Sequence, residues 1–245
     1  MIDLKGKRAL VCGGTSGIGK ATVASLKQNG AEVVILSRSA SGKDTISCDL
    51  EDLESLRTLV SKEIETNGPF QILINNSGGP PSGPLIEAQP NDFEKAFLRH
   101  VLASQTLVQL LLEGMKSSNY GRIINIISTS VKEPIPGLGV SNTIRGAMAS
   151  WSKTLSKELP SDITINNVLP GFTNTERLTE LKKTLSLQKG ISQEEVESAW
   201  LSTVPEGRLA DPSELGQVVA FLSSPAASFV RGTSIPVDGG RTGSI

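Results

Sequence analysis

The sequence predicts one doubly wound α/β domain, a parallel seven-stranded sheet with helices on both faces, and three observations carry that expectation. Short apolar runs rich in β-branched residues alternate with longer stretches of helical period. The first run ends in a glycine-rich turn that opens straight into a helix. The 245 residues suit a single sheet of this kind, and no linker, repeat or low-complexity tract divides residues 1–245.

Taken in order, strands are expected at Arg8–Cys12, Glu32–Leu36, Thr45–Cys48, Gln71–Asn75, Arg122–Ile127, Thr164–Val168 and Ser234–Val237. Helices are expected between them at Gly17–Asn29, Leu53–Asn67, Asn91–Lys116, Ser141–Glu158 and Pro212–Leu222. Such alternation means βαβ crossovers, and these cover a parallel sheet on both faces. Gly30 follows the first helix as a C-cap, while Asn91-Asp92 and Asp211-Pro212 supply N-cap and first-turn residues. One segment breaks the rhythm. Thr175–Thr203 inserts extra helix, with Leu178, Leu181 and Leu185 at helical spacing and Val196, Ala199 and Trp200 likewise. Following a late strand, it belongs at the carboxyl edge where ligands bind, and reads as a substrate lid or as packed surface helices.

Composition excludes several classes. A hydrophobic content of 38% is enough for a sizeable core, and a net charge of −1 gives no electrostatic reason for nucleic acid or an anionic membrane. No apolar run approaches the roughly 18 residues a bilayer span needs. Met1-Ile2-Asp3-Leu4-Lys5 lacks the apolar core of a signal peptide, so a cytoplasmic protein is expected. Cys12 and Cys48 have no metal-ligand spacing, and no metal is expected. With another strand between theirs they lie about 9–10 Å apart, too far for a disulfide.

The glycine-rich turn is the most specific signal. Ala9-Leu10-Val11-Cys12-Gly13-Gly14-Thr15-Ser16-Gly17-Ile18-Gly19 runs from strand through turn to helix. Gly13, Gly17 and Gly19 permit a tight turn, close approach of the backbone to a pyrophosphate and tight helix–strand packing. The first N–H groups of the helix then face the phosphates. A glycine-rich turn alone could be only a bend; placed between a strand and a helix, it reads as a Rossmann-type dinucleotide site. An NAD site would carry an acid about twenty residues on, at the end of the second strand. Here that strand ends in Ser37-Arg38-Ser39. Arg38 can hold a 2′-phosphate by two charge-assisted hydrogen bonds, so NADP is expected ahead of NAD.

With these residues in place the chain resembles the short-chain dehydrogenase/reductase family, especially its 3-oxoacyl-carrier-protein reductase-like members. The likeness continues through Cys48-Asp49-Leu50, Asn75-Asn76-Ser77-Gly78, Asn125-Ile126-Ile127-Ser128, Pro170-Gly171-Phe172-Thr173-Asn174-Thr175 and Val237-Asp238-Gly239-Gly240. The resemblance implies that Thr15, Ser16, Ile18, Ser77 and Gly78 join the cofactor site. Asp49 would contact the adenine, Asn75 would brace the sheet centre and the cofactor, and Pro170, Gly171, Phe172, Thr173 and Thr175 would hold the nicotinamide. It also implies a homodimer or homotetramer through the long helices 91–116 and 141–158, acting on an unidentified small-molecule substrate.

The chemistry departs from the family pattern of Asn, Ser, Tyr and Lys. Ser128 fits the serine that polarises a carbonyl. The tyrosine position, thirteen residues on, holds Ser141, and the lysine position holds Arg145. Tyr120 is the only tyrosine. It starts the strand that ends near Ser128, about 25 Å away at the wrong edge of the sheet. An aliphatic hydroxyl does not titrate where a phenol near 10 can be tuned. A guanidinium keeps the charge but cannot relay a proton. The asparagine position holds His100, which could supply a proton directly or through water, or could be a packing residue. Two functions follow from this set: an NADP(H)-dependent carbonyl or enoyl reductase with a non-standard proton donor, or a dinucleotide-binding protein with little turnover that serves as a redox sensor or assembly partner. The surviving polar cluster of Ser128, Ser141 and Arg145 favours the enzyme.

Overall fold

Alternation within the first strand decides the layering. In β1 (Arg8–Cys12), Leu10 and Cys12 point into one apolar core, and Ala9 and Val11 into another. A strand apolar on both faces must be covered on both. α2 (Leu53–Asn67) and α4 (Ala103–Ser117) cover the first face with Leu56, Val60, Leu107 and Leu111. α1 (Gly17–Gln28) and α8 (Pro212–Leu222) cover the second with Val23, Leu26, Leu215 and Val219. The computed structural model describes residues 2–244.

The remaining strands are β2 (Glu32–Leu36), β3 (Thr45–Ile46), β4 (Ile72–Asn75), β5 (Gly121–Ile126), β6 (Ile163–Pro170) and β7 (Ser234–Val237). Every pairing is parallel, in the order β3-β2-β1-β4-β5-β6-β7. The direction of winding reverses between β1 and β4, and this opens a crevice at their carboxyl ends. The single doubly wound sheet expected from the sequence is what forms.

Several boundaries differ from expectation for local reasons. β3 stops at Ile46 because, as an edge strand, it pairs only with Ile35 and Leu36; Cys48 lies beyond it. β6 runs on to Pro170 because β7 continues to pair with it through Leu169 and Pro170, past the last β5 partner at Val168. The helix expected at Asn91–Lys116 is α3 (Pro90–Phe97), a π-helical turn over Leu98–Leu102, and then α4. Its N-cap is Gln89, with Asp92 closing a capping box, rather than Asn91. α5 (Gly139–Glu158) begins two residues before Ser141. The inserted segment folds as α6 (Glu176–Lys189) and α7 (Gln193–Leu201), capped by Thr175 and Ser192. Both cysteines are unpaired and buried, and burial pushes the Cys12 thiol up to about 12, so it is not a nucleophile at neutral pH. Among the described residues no helix is long and apolar enough to cross a membrane, and no cluster of His, Cys, Asp or Glu could hold a metal ion.

Candidate active site

The turn after β1 has the geometry a pyrophosphate needs. Gly17 has φ of +49°, a region that side chains disfavour. A Cβ on Gly19 would lie 2.0 Å from the Gly13 carbonyl oxygen, so nothing larger fits there. The Asn76 amide braces the turn by donating to the Cys12 and Gly13 carbonyls at 3.2 and 3.3 Å. Ser16 makes no side-chain cap and the first turn of α1 holds no acid, which leaves its N–H groups for an anion. The Ile18 side chain, in the first turn of α1, packs against the core, so its contribution to the turn is backbone.

Beside this turn lies a cluster of hydroxyls. Thr15 Oγ1 is 3.3 Å from Ser37 Oγ and 3.4 Å from Ser39 Oγ. Arg38 stands exposed next to them, its Nη1 3.8 Å from Asp49 Oδ2. The Asp49 carboxylate also accepts from Glu51 N, which fixes the loop after β3. Three hydroxyls and an outward guanidinium, with no acid at the end of β2, suit a 2′-phosphate. Ser39 was not singled out from the sequence, although its place beside Arg38 was the available signal.

The centre of the sheet is crossed by a ladder of side-chain amides. Asn75 donates to Asn125 Oδ1 at 2.8 Å, Asn125 to Asn167 Oδ1 at 2.8 Å, and Asn167 to Ser234 Oγ at 3.0 Å. These four residues are register partners on β4 to β7, so the sheet itself aligns them. Asn75 Oδ1 is buried and left without a partner. Asn75, Asn125 and Asn167 together tie the centre of the sheet; of the three, only Asn75 was named from the sequence.

Asn75 lines a cavity of about 10 Å³, room for about one water, with Cys12, Ser77, His100, Arg145 and Met148 among its walls. His100 enters it from the π-helical turn, a device that re-aims a side chain within a helix. It is 3% exposed, its Nδ1 lies 2.7 Å from Ser77 Oγ, and its Nε2 has no partner. Burial, then the Arg145, Arg99 and Arg177 guanidiniums, pushes its pKa down to about 2. It is uncharged at neutral pH. A proton from an imidazolium, one of the two routes open to His100 in the sequence, is therefore not on offer. Ser77 likewise serves His100 directly.

Arg145 is 7% exposed and donates through Nη1 to the Ile126 carbonyl at 3.0 Å. Burial and Arg177 pull it down to about 10, and it remains a cation. Ser141 stands one helical turn before it on α5, half-buried. Ser128 caps the short turn Thr129–Val131, its Oγ accepting from Ser130 N at 3.0 Å. So Asn75, Ser77, His100 and Arg145 meet in one cavity. Ser128 and Ser141 lie outside its walls.

The segment after β6 arches back over the glycine turn. Gly171 N donates to Val237 O at 3.0 Å, and a Gly171 Cβ would come 2.6 Å from Asp238 Cβ. Phe172 and Asn174 exchange backbone bonds with Ala210, and Thr173 is buried. The Thr175 methyl approaches within 3.3 Å of the point where a Gly17 Cβ would stand. Phe172 stacks on Trp200 of α7 with centroids 5.1 Å apart, and Arg241 covers the Phe172 ring at 4.9 Å. Gly78 is exposed at the mouth. Arg177, which sequence reading passed over, reaches from α6 to donate to the Gly79 and Pro80 carbonyls at 3.1 and 3.2 Å. Tyr120 is remote, its hydroxyl donating to Ser223 O at 2.6 Å behind the sheet.

Residues 13–242 match the family described as enoyl-(acyl carrier protein) reductase. The 3-oxoacyl-(acyl-carrier-protein) reductase FabG of Haemophilus influenzae is 31% identical over 97% of this chain and 98% of its own. The NADPH-dependent reductase BacG of Bacillus subtilis is 28% identical over 98% of this chain and 99% of its own. The structure of L-sorbose reductase from Gluconobacter frateurii, complexed with NADPH and L-sorbose, is similar with a TM-score of 0.91 and 25% identity, covering 100% of this chain and 99% of that one.

Proposed function

Because this chain belongs to the short-chain dehydrogenase/reductase family of oxidoreductases, we propose that it is an NADPH-dependent reductase of a carbonyl compound whose proton comes from water rather than from a tyrosine. One observation carries the reading: a complete cofactor cradle opens onto a buried cavity that still holds a cation, Arg145. NADPH supplies hydride at its nicotinamide when bound.

The rest falls to this chain. Gly13, Gly17, Gly19 and the first turn of α1 hold the pyrophosphate, while Thr15, Ser37, Arg38 and Ser39 take the 2′-phosphate. The Pro170–Thr175 segment orients the nicotinamide, and α6 with α7 closes over it as a lid tied down by the Phe172–Trp200 stack. Ser128 donates to the substrate oxygen. Arg145 holds the nicotinamide ribose and stabilises the negative charge that grows on that oxygen as the C=O bond becomes a single bond. Ser141, at the rim, leaves room where a phenol ring would stand, and water there delivers the proton. Neutral His100 keeps Ser77 in place rather than acting as an acid. Hydride transfer needs mainly orientation, which these parts provide.

A second reading has its own observation: no group lining the cavity titrates near neutrality, His100 standing at about 2 and Arg145 at about 10. That suits a protein that binds the dinucleotide with little turnover, as a redox sensor or assembly partner. NADPH consumption against a panel of ketones, oxo acids and enoyl thioesters separates the two. Substrate-dependent consumption is expected; tight NADPH binding with none across the panel overturns the reductase. Assembly as a homodimer or tetramer is proposed through helices that leave Phe97 and Leu102 partly exposed, 41% and 39%, and light scattering tests it.

A further inference from the structure

Two guanidiniums converge on Gly79, Arg145 from the cavity wall and Arg177 from the exposed side, with no carboxylate between them. Arg177 Nη2 lies 2.8 Å, and Arg145 Nη2 3.6 Å, from the one point where a Cβ on Gly79 would stand. Neither makes an ion pair among the described residues, whereas Arg99 nearby is neutralised by Glu51. A buried cation is normally paired, yet the only partner of buried Arg145 is a backbone carbonyl, and Arg177, exposed beside it, likewise donates only to backbone carbonyls. The His100 Nε2 and Asn75 Oδ1 atoms in the adjoining walls are also buried and unpartnered. The site is short of a charged, hydrogen-bonding guest.

The cofactor's phosphates do not fill that need. The pyrophosphate cradle is at the end of β1 and the 2′-phosphate cluster at the end of β2. Arg145 is anchored at the end of β5, two strands from β1 on the opposite side, or about 10 Å across the sheet. An anion there belongs to the substrate. A planar carboxylate matches two guanidinium forks better than a point anion does.

We propose that the substrate carries a carboxylate held between Arg145 and Arg177, so that this site reduces oxo acids rather than neutral ketones. The inference rests on the reductase reading. Arg177 is its specificity-determining residue: in the structure its guanidinium spans from α6 to the Gly79–Pro80 loop, and the carboxylate replaces those two carbonyls as its acceptor as α6 seats over the bound acid. The placement has a chemical consequence. Both cations stay near the oxygen that gains charge, which lessens the need for an internal acid.

The test uses the whole protein saturated with NADP+ and titrates pyruvate, acetoacetate and levulinate against their methyl esters by calorimetry. At least one acid is expected to bind at least about tenfold more tightly than its ester, and Arg177→Gln should remove that advantage while NADP+ affinity stays within about twofold. Arg177→Lys, keeping the charge without the fork, should recover part of it. No saturable acid binding up to about 10 mM, or equal binding of acid and ester, overturns the proposal. So does a tenfold loss of NADP+ affinity in Arg177→Gln, which would assign the arginine to the cofactor. NADPH consumption then separates the two readings. Acids that bind but are not reduced leave the anion site and remove the reductase, whereas neutral ketones reduced as fast as acids leave the reductase and remove the anion site.

Discussion

At the ends of β1 and β2 the carboxyl edge of the sheet is open, rich in hydroxyls and braced by glycine; at the ends of β4 and β5 it is closed, buried and cationic. The first region is shaped for anions, and in the second burial and neighbouring guanidiniums hold His100 at about 2 and Arg145 at about 10. The Ser77–His100 pair, the orphaned Asn75 Oδ1 and the facing Arg145 and Arg177 form a set whose members depend on one another. The difference teaches that binding and proton chemistry are separable within one sheet edge. Phosphate recognition needs backbone geometry, which tolerates little change. On the proposed reading, proton supply falls to water because Arg145 stabilises the growing charge.

The largest effect should come from the open half. Gly19→Ala puts a methyl group 2.0 Å from a carbonyl that cannot retreat. NADPH affinity should fall more than about 100-fold, with a lower melting temperature from overpacking of about 1–3 kcal/mol. Unchanged affinity would mean that this turn is not the cradle. Next is Arg38→Asp, which replaces the exposed guanidinium with a charge that repels a 2′-phosphate. NADPH should weaken about ten- to a hundredfold and NADH should become the preferred cofactor in a fluorescence titration.

The closed half has a pH signature. His100 titrates near 6.5 when unfolded and about 2 when folded, so below pH 6.5 the unfolded chain binds a proton that the folded one does not. Stability should therefore fall as the pH drops, by about 1.4 kcal/mol per unit, or about 2 kcal/mol between pH 6.5 and 5. His100→Asn should lose that part of the acid sensitivity in urea titrations at the two pH values. If both proteins show the same slope, His100 is charged in the folded state and the cavity is not as closed as described. The smallest effect is expected for Ser39→Ala, which removes one neutral hydroxyl from the Thr15–Ser37–Ser39 cluster. NADPH should weaken by about 0.5–1.5 kcal/mol with NADH unaffected.

How much of this was legible depends on the range of the interactions. The limits of β1 and β2 and the cap at Asp211 followed from local patterns, because alternation and caps act over a few residues. The π-helical turn did not, since the apolar spacing through Leu98–Leu102 is compatible with an ordinary helix. Glycine turn and Arg38 were readable because their meaning lies in their place after a strand. The Ser77–His100 bond joins residues 23 apart, and Arg177 meets the Gly79 loop 98 positions away. No spacing rule reaches those pairs. The neutrality of His100 is likewise a property of its burial first and then of arginines on other elements, Arg145 and Arg177, beside its neighbour Arg99.

The most direct test of an intact cofactor half beside an acid-free chemistry half is a single-turnover measurement. NADPH-saturated protein is mixed with acetoacetate, and NADPH consumption is followed from pH 5 to 9. The expected result is a slow rate, lacking the roughly 10²–10⁴-fold that a general acid supplies, with no inflection across the range. A rate of about 1–1000 per second with an inflection near neutrality would show a titrating acid in the site and contradict the account.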